Sequence, residues 1–285
     1  MIKDINPSIT VFTPCYNVAN TIQEVAKCVN DQSFKSFEWI IYNDGSNDDS
    51  DTVIRKIIGE YPHLNIVYMN PGVNRGKHIA WNRALDIARG ELFICADADD
   101  PFEKDSFQFF YDRWCEVRDD ESCCGILGLV DSLETGEMHA GKWPNDGWKT
   151  NFLDFSLRHG IDGETWGVTR TDILKKRKFP EIYNGYFGEH YIWHALAVMG
   201  YNYRCYNKIT RHYRTTSVAG ITASKNRRRK RPQQSQIGLI TALWDLKYTS
   251  SWYLKYSKIE WIKMVLKIPY YIYCYLFLSD RENFE

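Results

Sequence analysis

The sequence lacks several features that often identify a class of protein directly. Lys and Arg number 36, as do Asp and Glu, so the net charge indicates neither a polyanionic nor a polycationic partner. The eight cysteines form no C-x-x-C pair, which argues against a zinc site or a disulfide framework and favours reduced thiols in the cytosol. The first residues, MIKDINPSITVF, contain no apolar signal-peptide region. We therefore predict a cytoplasmic protein.

Long apolar runs are also absent from the sequence. A membrane-spanning helix needs roughly 18 to 20 apolar residues. The nearest run, residues 268–278, is shorter than this and contains Pro269. We therefore predict that no segment spans a membrane. The apolar content, 44% of 285 residues, is instead sufficient to bury the core of one large domain, with or without an added subdomain.

The first hundred residues alternate between the patterns of strands and helices. Apolar spacing predicts strands at residues 8–14, 37–46, 64–70 and 91–97, separated by helices at residues 20–32, 51–61 and 77–90. Asp51 is a candidate N-cap of the second helix. Such alternation is typical of right-handed β-α-β units, so we predict an α/β protein with a Rossmann-like, mostly parallel sheet flanked by helices. Ligands bind such sheets at the carboxyl ends of the strands, where four polar segments should therefore meet.

The fourth polar segment begins where a buried strand runs into three aspartates, in the sequence GELFICADADDPF of residues 90–102. Two carboxylates about 4 Å apart repel each other by roughly 4 kcal/mol at an effective dielectric constant near 20. Asp97, Asp99 and Asp100 therefore form either a solvated turn that enters a helix or a site for a cation.

Together the four segments resemble those of the family 2 glycosyltransferases of the GT-A fold, in the same order and at similar spacing over residues 8–102. The family's P-x-Y-N, N-x-G, inner helical Asn and D-x-D-D motifs are matched by Pro14, Tyr16, Asn17, Asn74, Gly76, Asn82, Asp97, Asp99 and Asp100. Its D-D-G-S turn is matched by NDGS, in which Asn43 replaces the first Asp. This departure bears on which base is bound. The resemblance implies a GT-A fold, here with a C-terminal helical extension.

The resemblance also implies a reaction. Members of this family of the bacterial surface-glycan type transfer a sugar, with inversion, from a nucleotide-diphosphate donor, and we expect a UDP-sugar. A divalent cation, Mn²⁺ or Mg²⁺, would stabilise the leaving diphosphate as a Lewis acid. By resemblance Asp99 is the main metal ligand, Asp97 binds the nucleotide and supports the metal, and His212 is a further candidate ligand. Asp100 could support either role.

Donor binding is expected at residues of the four segments and of a later basic segment. Asp44 would accept a hydrogen bond from the base, on which Tyr16 would stack; locally, Asp44 is equally well explained by an Asp-Gly turn. Lys77 lies beside the expected diphosphate. The complete predicted set is Thr13, Pro14, Tyr16, Asn17, Asp44, Asn74, Gly76, Lys77, Asn82, Asp97, Ala98, Arg211 and Arg214. Strand alternation at residues 211–214 should place His212 on the opposite side from Arg211.

The second half of the chain should supply the general base and the acceptor site. By resemblance the base is Glu189, which opens a predicted helix at residues 188–201, and His190 is its rival because the ordinary pKa of His also suits proton transfer. The predicted acceptor-binding residues are Asp131, Glu164 and Trp166, of which the two acids are weaker candidates for the base. Trp166 could equally be a core residue.

The chain is predicted to have three parts: a nucleotide-sugar-binding half at 1–102, an acceptor-binding and catalytic half at 103–220, and a basic loop with an aromatic helical tail at 221–285. Residues 203–216 are predicted to form two short strands. The loop KNRRRKR and the lysine- and aromatic-rich tail favour peripheral attachment to an anionic membrane surface, here the inner face of the cell membrane. The alternative is a tail packed on the domain.

These features predict two kinds of partner, the nucleotide-sugar donor and a saccharide or polyprenyl-diphosphate-linked acceptor, and no nucleic acid. Two other functions stay open. A sugar nucleotidyltransferase would share the parallel sheet and the cation, but it should have a glycine-rich loop after the first strand. A catalytically degenerate scaffold subunit would be favoured by loss of the aspartates, which are present.

Overall fold

The computed structural model describes residues 6–183, 185–216 and 232–278. Within these residues eight strands form one sheet: β1 Ile9–Cys15, β2 Phe37–Asn43, β3 Ile66–Met69, β4 Leu92–Cys95, β5 Cys123–Ser132, β6 Trp148–Thr150, β7 Thr165–Arg170 and β8 Asn202–Tyr213. The α-helices are α1 Ile22–Asn30, α2 Ser50–Glu60, α3 Lys77–Ile87, α4 Ser106–Cys115, α5 Thr171–Lys176, α6 His190–Val198, α7 Pro232–Tyr256 and α8 Lys258–Tyr273. Short π-helical turns lie at Asp154–Arg158 and Cys274–Leu278.

The sheet has the order β3-β2-β1-β4-β7-β5-β8-β6. Its first four strands are parallel, with Ile9 opposite both Phe37 and Leu92, as right-handed β-α-β connections require. Strand β7 enters antiparallel between β4 and β5, whereas β5 and β8 are again parallel. The prediction of an α/β fold with a mostly parallel sheet is confirmed.

Apolar side chains of β1 alternate between two cores on opposite faces of the sheet. Ile9 and Val11 face the core that α1, α2 and α4 complete, and Phe12 faces the core that α3, α5 and α6 complete. Ile237 of α7 belongs to this second core. The sheet is thus covered by helices on both faces, and the carboxyl ends of its strands remain at one edge.

The predicted elements of the first hundred residues are present with boundaries shifted by a few residues, and two details differ. Residues 203–216 do not form two short strands, because β8 is one continuous strand held between β5 and β6. Asp51, predicted as an N-cap, lies inside the first turn of α2, where its carboxylate accepts bonds from Arg55 and Tyr68.

Helices α7 and α8 form an antiparallel hairpin, which is the predicted C-terminal helical extension. Gly238 lies against Tyr271, and the indole N–H of Trp261 donates to Ser250 Oγ at 3.1 Å. The hairpin packs on α6 through the rings of Tyr191 and Trp244, whose centroids are 5.5 Å apart. None of the helices in the described ranges is long and apolar enough to cross a membrane. The basic loop at 225–231 lies outside the described residues.

Candidate active site

The first two polar segments are joined by Asn17, which adopts a left-handed conformation at φ 56°. Asparagine tolerates this region better than most residues. Its side-chain oxygen accepts the Asn47 N–H at 2.8 Å, and its own N–H donates to Ser46 Oγ at 3.0 Å. The neighbouring Tyr16 ring is exposed. The structure therefore leaves Tyr16 at the edge of the sheet where a base would stack.

Asp44 joins the second segment to the third. It is buried, and its two carboxylate oxygens accept the N–H groups of Arg75 at 2.9 Å and Gly76 at 2.7 Å. Burial raises the pKa of Asp44. A carboxylate has about four acceptor positions, so each oxygen can still accept one bond from a base.

Gly76 is required at the start of α3 for two reasons. Its φ of 102° strains any residue with a Cβ, and a Cβ placed there would lie 2.8 Å from the carbonyl oxygen of Gly185. Asn74 is also close to the second segment, because its backbone N lies against Gly45. The four segments therefore meet at one edge, as the sequence predicts from the strand ends.

Lys77 brings the predicted donor residues and the predicted base together. Its Nζ lies 2.6 Å from Asp97 Oδ1 and 2.8 Å from Glu189 Oε1, and its side chain is largely buried. Burial by itself lowers the pKa of Lys77, but Asp97 and Glu189 raise it well above its usual value. Lys77 is therefore a fixed ammonium between two carboxylates that are 92 residues apart in the sequence.

Arg211 is a second buried cation at the same place, only 4% exposed. It contacts Glu164 at 3.1 Å, Asp97 at 3.6 Å and Asp100 at 3.7 Å. Burial raises the pKa of Asp100 to about 7, against the lowering effect of Arg211. Burial also opposes ionisation of Asp97, but Lys77 and Arg211 hold its pKa below the usual range. Two buried cations thus favour the ionised form of Asp97, the carboxylate predicted to bind the nucleotide.

Arg214 holds the aspartate segment through both its backbone and its side chain. Its N–H donates to Asp100 Oδ1 at 2.9 Å, and its side-chain Nε donates to the carbonyl of Asp99 at 3.0 Å. Asp99 itself is partly exposed at the end of the strand, whereas Ala98 is buried. This arrangement fixes the direction in which residues 97–100 leave the sheet.

His212 points away from Arg211, as strand alternation predicts. Its Nδ1 lies 2.6 Å from Asp131 Oδ1, and its Nε2 lies 3.1 Å from Glu103 Oε1. Within the described ranges no group of three His, Cys, Asp or Glu side chains is arranged to hold a metal ion. The structure therefore pairs a predicted metal ligand with Asp131, a predicted acceptor residue, rather than with Asp99.

Two predicted site residues have their polar groups committed to the protein. Asn82 is buried, and its amide donates to the carbonyl of Phe179 and accepts the N–H of the same residue. Trp166 is also buried and donates its indole N–H to the carbonyl of Cys95 at 2.6 Å, with the Phe102 ring 5.1 Å away. Asn82 thus braces residue 179 instead of offering a free amide to a donor, and Trp166 is packed as a core residue.

A cavity of about 740 Å³ extends from Lys77, Asp97 and Glu189 toward the C-terminal helices. Ligand pockets typically occupy about 300 to 1,000 Å³. Glu164 and Trp166 line this cavity; Asp131 and His212 are not among the described residues that do. The far end is lined by His190, His194, Thr241, Asp245, Lys267 and Tyr271.

His190 lines this cavity, and the residue is exposed rather than buried. Desolvation and the neighbouring His194 lower its pKa to about 4. His194 Nδ1 in turn lies 3.1 Å from Asp245 Oδ1 of α7. Asp245, Lys267 and Tyr271 were not predicted as site residues, because no local pattern shows that the tail folds back over α6.

Helix α7 also holds the backbone just before Glu189. Gln234 accepts the Tyr186 N–H and donates to the Tyr186 carbonyl, both at 3.0 Å. Ile237 packs so closely on Gly185 that a Cβ there would lie 2.2 Å from Ile237 Cδ1. The loop that carries Glu189 is therefore fixed by a helix about fifty residues later, a contact that the sequence gives no signal for.

Solved structures support the fold. S. aureus TarS in complex with UDP-GlcNAc matches with a TM-score of 0.59 at 17% identity, covering 94% of this chain and 72% of that one. The mannosyltransferase PcManGT from Pyrobaculum calidifontis, in complex with GDP-Man and Mn²⁺, matches with a TM-score of 0.59 at 17% identity, covering 95% and 74%. At this identity the likeness shows the fold alone, and the predicted GT-A fold is confirmed.

Sequence relatives are bacterial glycosyltransferases. The chain is 30% identical to the uncharacterized glycosyltransferase YibD of Escherichia coli over 184 residues, which are 61% of this chain and 52% of YibD. It is 33% identical to the amylovoran biosynthesis glycosyltransferase AmsB of Erwinia amylovora over 106 residues, 37% of this chain and 35% of AmsB. The chain thus spans about half the length, or less, of these relatives.

A longer but weaker match is to the GalNAc(5)-diNAcBac-PP-undecaprenol beta-1,3-glucosyltransferase of Campylobacter jejuni. It is 24% identical over 225 residues, covering 77% of this chain and 69% of that one. The family model described as glycosyl transferase family 2 matches residues 10–178, more than half of the chain. This protein therefore belongs to glycosyl transferase family 2.

Proposed function

We propose that the protein transfers a hexosyl or N-acetylhexosaminyl group, with inversion, from a nucleotide-diphosphate sugar to a saccharide hydroxyl, and that the donor is a UDP-sugar. The observation that carries this proposal is the Lys77 bridge between Asp97 and Glu189 at the cavity. It joins one largely buried cation to two carboxylates. We assign phosphate binding to Lys77, nucleotide binding to Asp97 and the general base to Glu189.

In this proposal Lys77 changes partners when the donor binds. The diphosphate oxygens compete with Glu189 for the Lys77 ammonium, which can donate three hydrogen bonds. Glu189 is then released to accept the proton of the acceptor hydroxyl while the hydroxyl oxygen attacks the anomeric carbon. The bond from that carbon to the diphosphate breaks, and its electron pair leaves with the nucleoside diphosphate. Lys77 and Arg211 balance the charge that develops there.

The aspartate segment fits a hard divalent cation. Carboxylate and phosphate oxygens are the ligands that Mg²⁺ and Mn²⁺ prefer, and such a cation supplies Lewis-acid stabilisation of the leaving diphosphate. We assign Asp99, which is partly exposed at the end of the strand, as the principal ligand. His212 would have to give up its contact with Asp131 or Glu103 to become a further ligand of the cation.

The acceptor is proposed to be a glycan or a lipid-linked saccharide. The name of the Campylobacter jejuni relative describes a polyprenyl-diphosphate-linked acceptor. In this chain the cavity continues beyond Glu189, with Glu164 at its side and aromatic rings around it, so a saccharide can lie there against the donor. His190, whose pKa is lowered, lies on this acceptor side and is neutral at pH 7.

Thermal stabilisation by nucleoside diphosphates tests the proposed donor class. UDP, GDP, dTDP and CDP are each added to the protein with and without Mn²⁺. We expect a metal-dependent rise in melting temperature with UDP above the other three. A response to a different diphosphate would correct the base, and no response to any of the four would contradict the proposed donor site.

A further inference from the structure

Helix α8 presents two different faces. Glu260, Met264, Lys267 and Tyr271, spaced three or four residues apart, line the cavity beyond Glu189. The opposite side carries a row of exposed apolar and aromatic side chains, which we call the outer stripe: Ile259, Ile262, Leu266, Tyr270, Tyr273 and Phe277. This spacing places them along one side of the helix. One helix thus separates the acceptor end of the cavity from an apolar surface that is exposed among the described residues.

The outer stripe is unusually accessible for apolar side chains. Ile259 is 69% exposed, Leu266 is 61% exposed and Phe277 is 70% exposed. Soluble monomers rarely expose apolar side chains as a continuous patch, and such a patch marks a surface that contacts another molecule. We therefore expect another molecule to contact the outer stripe, and the charges around the stripe indicate what kind of molecule it is.

The charged residues of α8 are arranged around the stripe. Lys258 and Lys263 are exposed beside it, and the one acidic residue of α8, Glu260, lies on the cavity face and pairs with Lys263. A second copy of this chain seated symmetrically on the stripe would bring lysines against lysines. An anionic lipid surface instead satisfies the lysines with headgroups and the apolar side chains with acyl chains. Tyrosines at the boundary are typical of interfacial helices.

We propose that α8 lies in the interface of an anionic bilayer, with the outer stripe inserted and the opposite face forming a wall of the cavity. The acceptor end of the cavity then lies at the membrane surface, within reach of a saccharide carried on a lipid. This last clause rests on the proposed function, whereas membrane binding by the stripe does not.

Vesicle flotation of the full chain tests this proposal. The probes are vesicles of phosphatidylcholine alone and of phosphatidylcholine with phosphatidylglycerol. The test variant is Ile262→Glu with Leu266→Glu, and the matched control is Ile87→Glu with Met199→Glu, two exposed apolar positions at the ends of other helices. We expect the wild type and the control to float with the anionic vesicles. The stripe variant should bind at least about a hundredfold more weakly, because two inserted side chains are lost.

A second variant measures the charge contribution. Lys258→Ala with Lys263→Ala should weaken binding to the anionic vesicles by about thirtyfold, since each lysine near such a surface contributes about fivefold. The proposal is wrong if the wild type does not float with anionic vesicles, or if the stripe variant floats as the wild type does. It is also wrong if light scattering shows a dimer without vesicles that the stripe variant dissociates, because the occupant is then a second copy.

Donor binding distinguishes failure of this proposal from failure of the proposed function. The stripe variant should bind UDP with Mn²⁺ as the wild type does, because no stripe residue lies among the four polar segments. Loss of vesicle binding with intact donor binding supports the membrane surface independently of catalysis. If the protein binds vesicles but no nucleoside diphosphate, the proposal of membrane binding by the outer stripe stands and the proposed function is wrong.

Discussion

The nucleotide half of the chain and its C-terminal hairpin differ in what determines their surfaces. In residues 8–102 each polar segment directly follows a strand, so the parallel sheet alone brings the four segments together. In residues 232–278 the composition suits either packing or membrane contact: α7 packs on α6, and α8 leaves one face exposed among the described residues, for which we propose membrane contact. Local motifs therefore predict the position of a residue where the sheet topology fixes that position. They do not predict it where the position depends on which face of a helix packs against the protein.

The largest effect is expected where the two regions meet, at Glu189. Glu189→Gln should reduce turnover by about 10² to 10⁴-fold, the usual contribution of a general base, with donor binding retained or tighter because Lys77 loses a competing carboxylate. The measurement is steady-state release of the nucleoside diphosphate. Glu181→Gln, at an exposed residue paired with Arg83, is the matched control. Unchanged turnover in Glu189→Gln would move the base to His190 or Asp131.

Asp99→Ala tests the nucleotide half of the chain by itself. Removing the principal ligand should abolish the Mn²⁺-dependent part of donor binding, a loss of about a hundredfold, with the fold retained. Calorimetric titration of UDP with and without Mn²⁺ measures this loss. Asp105→Ala, at an exposed carboxylate paired with Lys208, is the control. Donor affinity within a few-fold of the wild type would show that the metal assignment is wrong.

Gln234→Ala tests whether the hairpin contributes to the reaction. The variant loses both hydrogen bonds to the Tyr186 backbone, so the loop before Glu189 becomes less well positioned. We expect kcat to fall about tenfold with the donor Kd unchanged, because misplacement of a reacting group lowers the rate without weakening binding elsewhere. Gln236→Ala, an exposed residue of the same helix, should have no effect. A change in donor Kd with kcat preserved would refute this positioning role.

Asp131→Asn should have the smallest effect. Asp131 contacts His212 and is not among the described residues that line the cavity. We therefore expect turnover within about threefold of the wild type and a loss in unfolding free energy of about 1 kcal/mol from the weakened His212 bond. Urea unfolding and the turnover assay measure the two quantities. A hundredfold loss of turnover would instead make Asp131 a rival for the base.

The sequence predicted the sheet and its polar edge because strand–helix alternation and turn residues are local signals. Tyr16, Asp44, Lys77 and Asp97 accordingly lie at that edge. The sequence could not show that Asn82 braces the backbone of residue 179, because an inner helical Asn looks the same whether it faces a ligand or a loop. For the same reason Trp166 could be assigned to the core only from its neighbours.

The tail and the central ion pairs depend on contacts across long stretches of chain. Lys77 was expected beside the diphosphate, but its bridge to Glu189 depends on how residues 185–189 pack on α7. Asp245 and Lys267 reach the cavity only because the hairpin folds back over α6. A pattern of residue types does not encode such distances, since the same helices could pack by another face.

A crystal structure of the protein with UDP and Mn²⁺ tests the account most directly, through the distance from Lys77 Nζ to Glu189 Oε1. This distance is 2.8 Å in the structure. The account predicts that Lys77 contacts the diphosphate, that Asp99 contacts the cation, and that Glu189 is no longer within hydrogen-bond distance of Lys77. A nucleotide bound away from the four segments, or a Lys77–Glu189 pair that is unchanged beside the bound diphosphate, would contradict it.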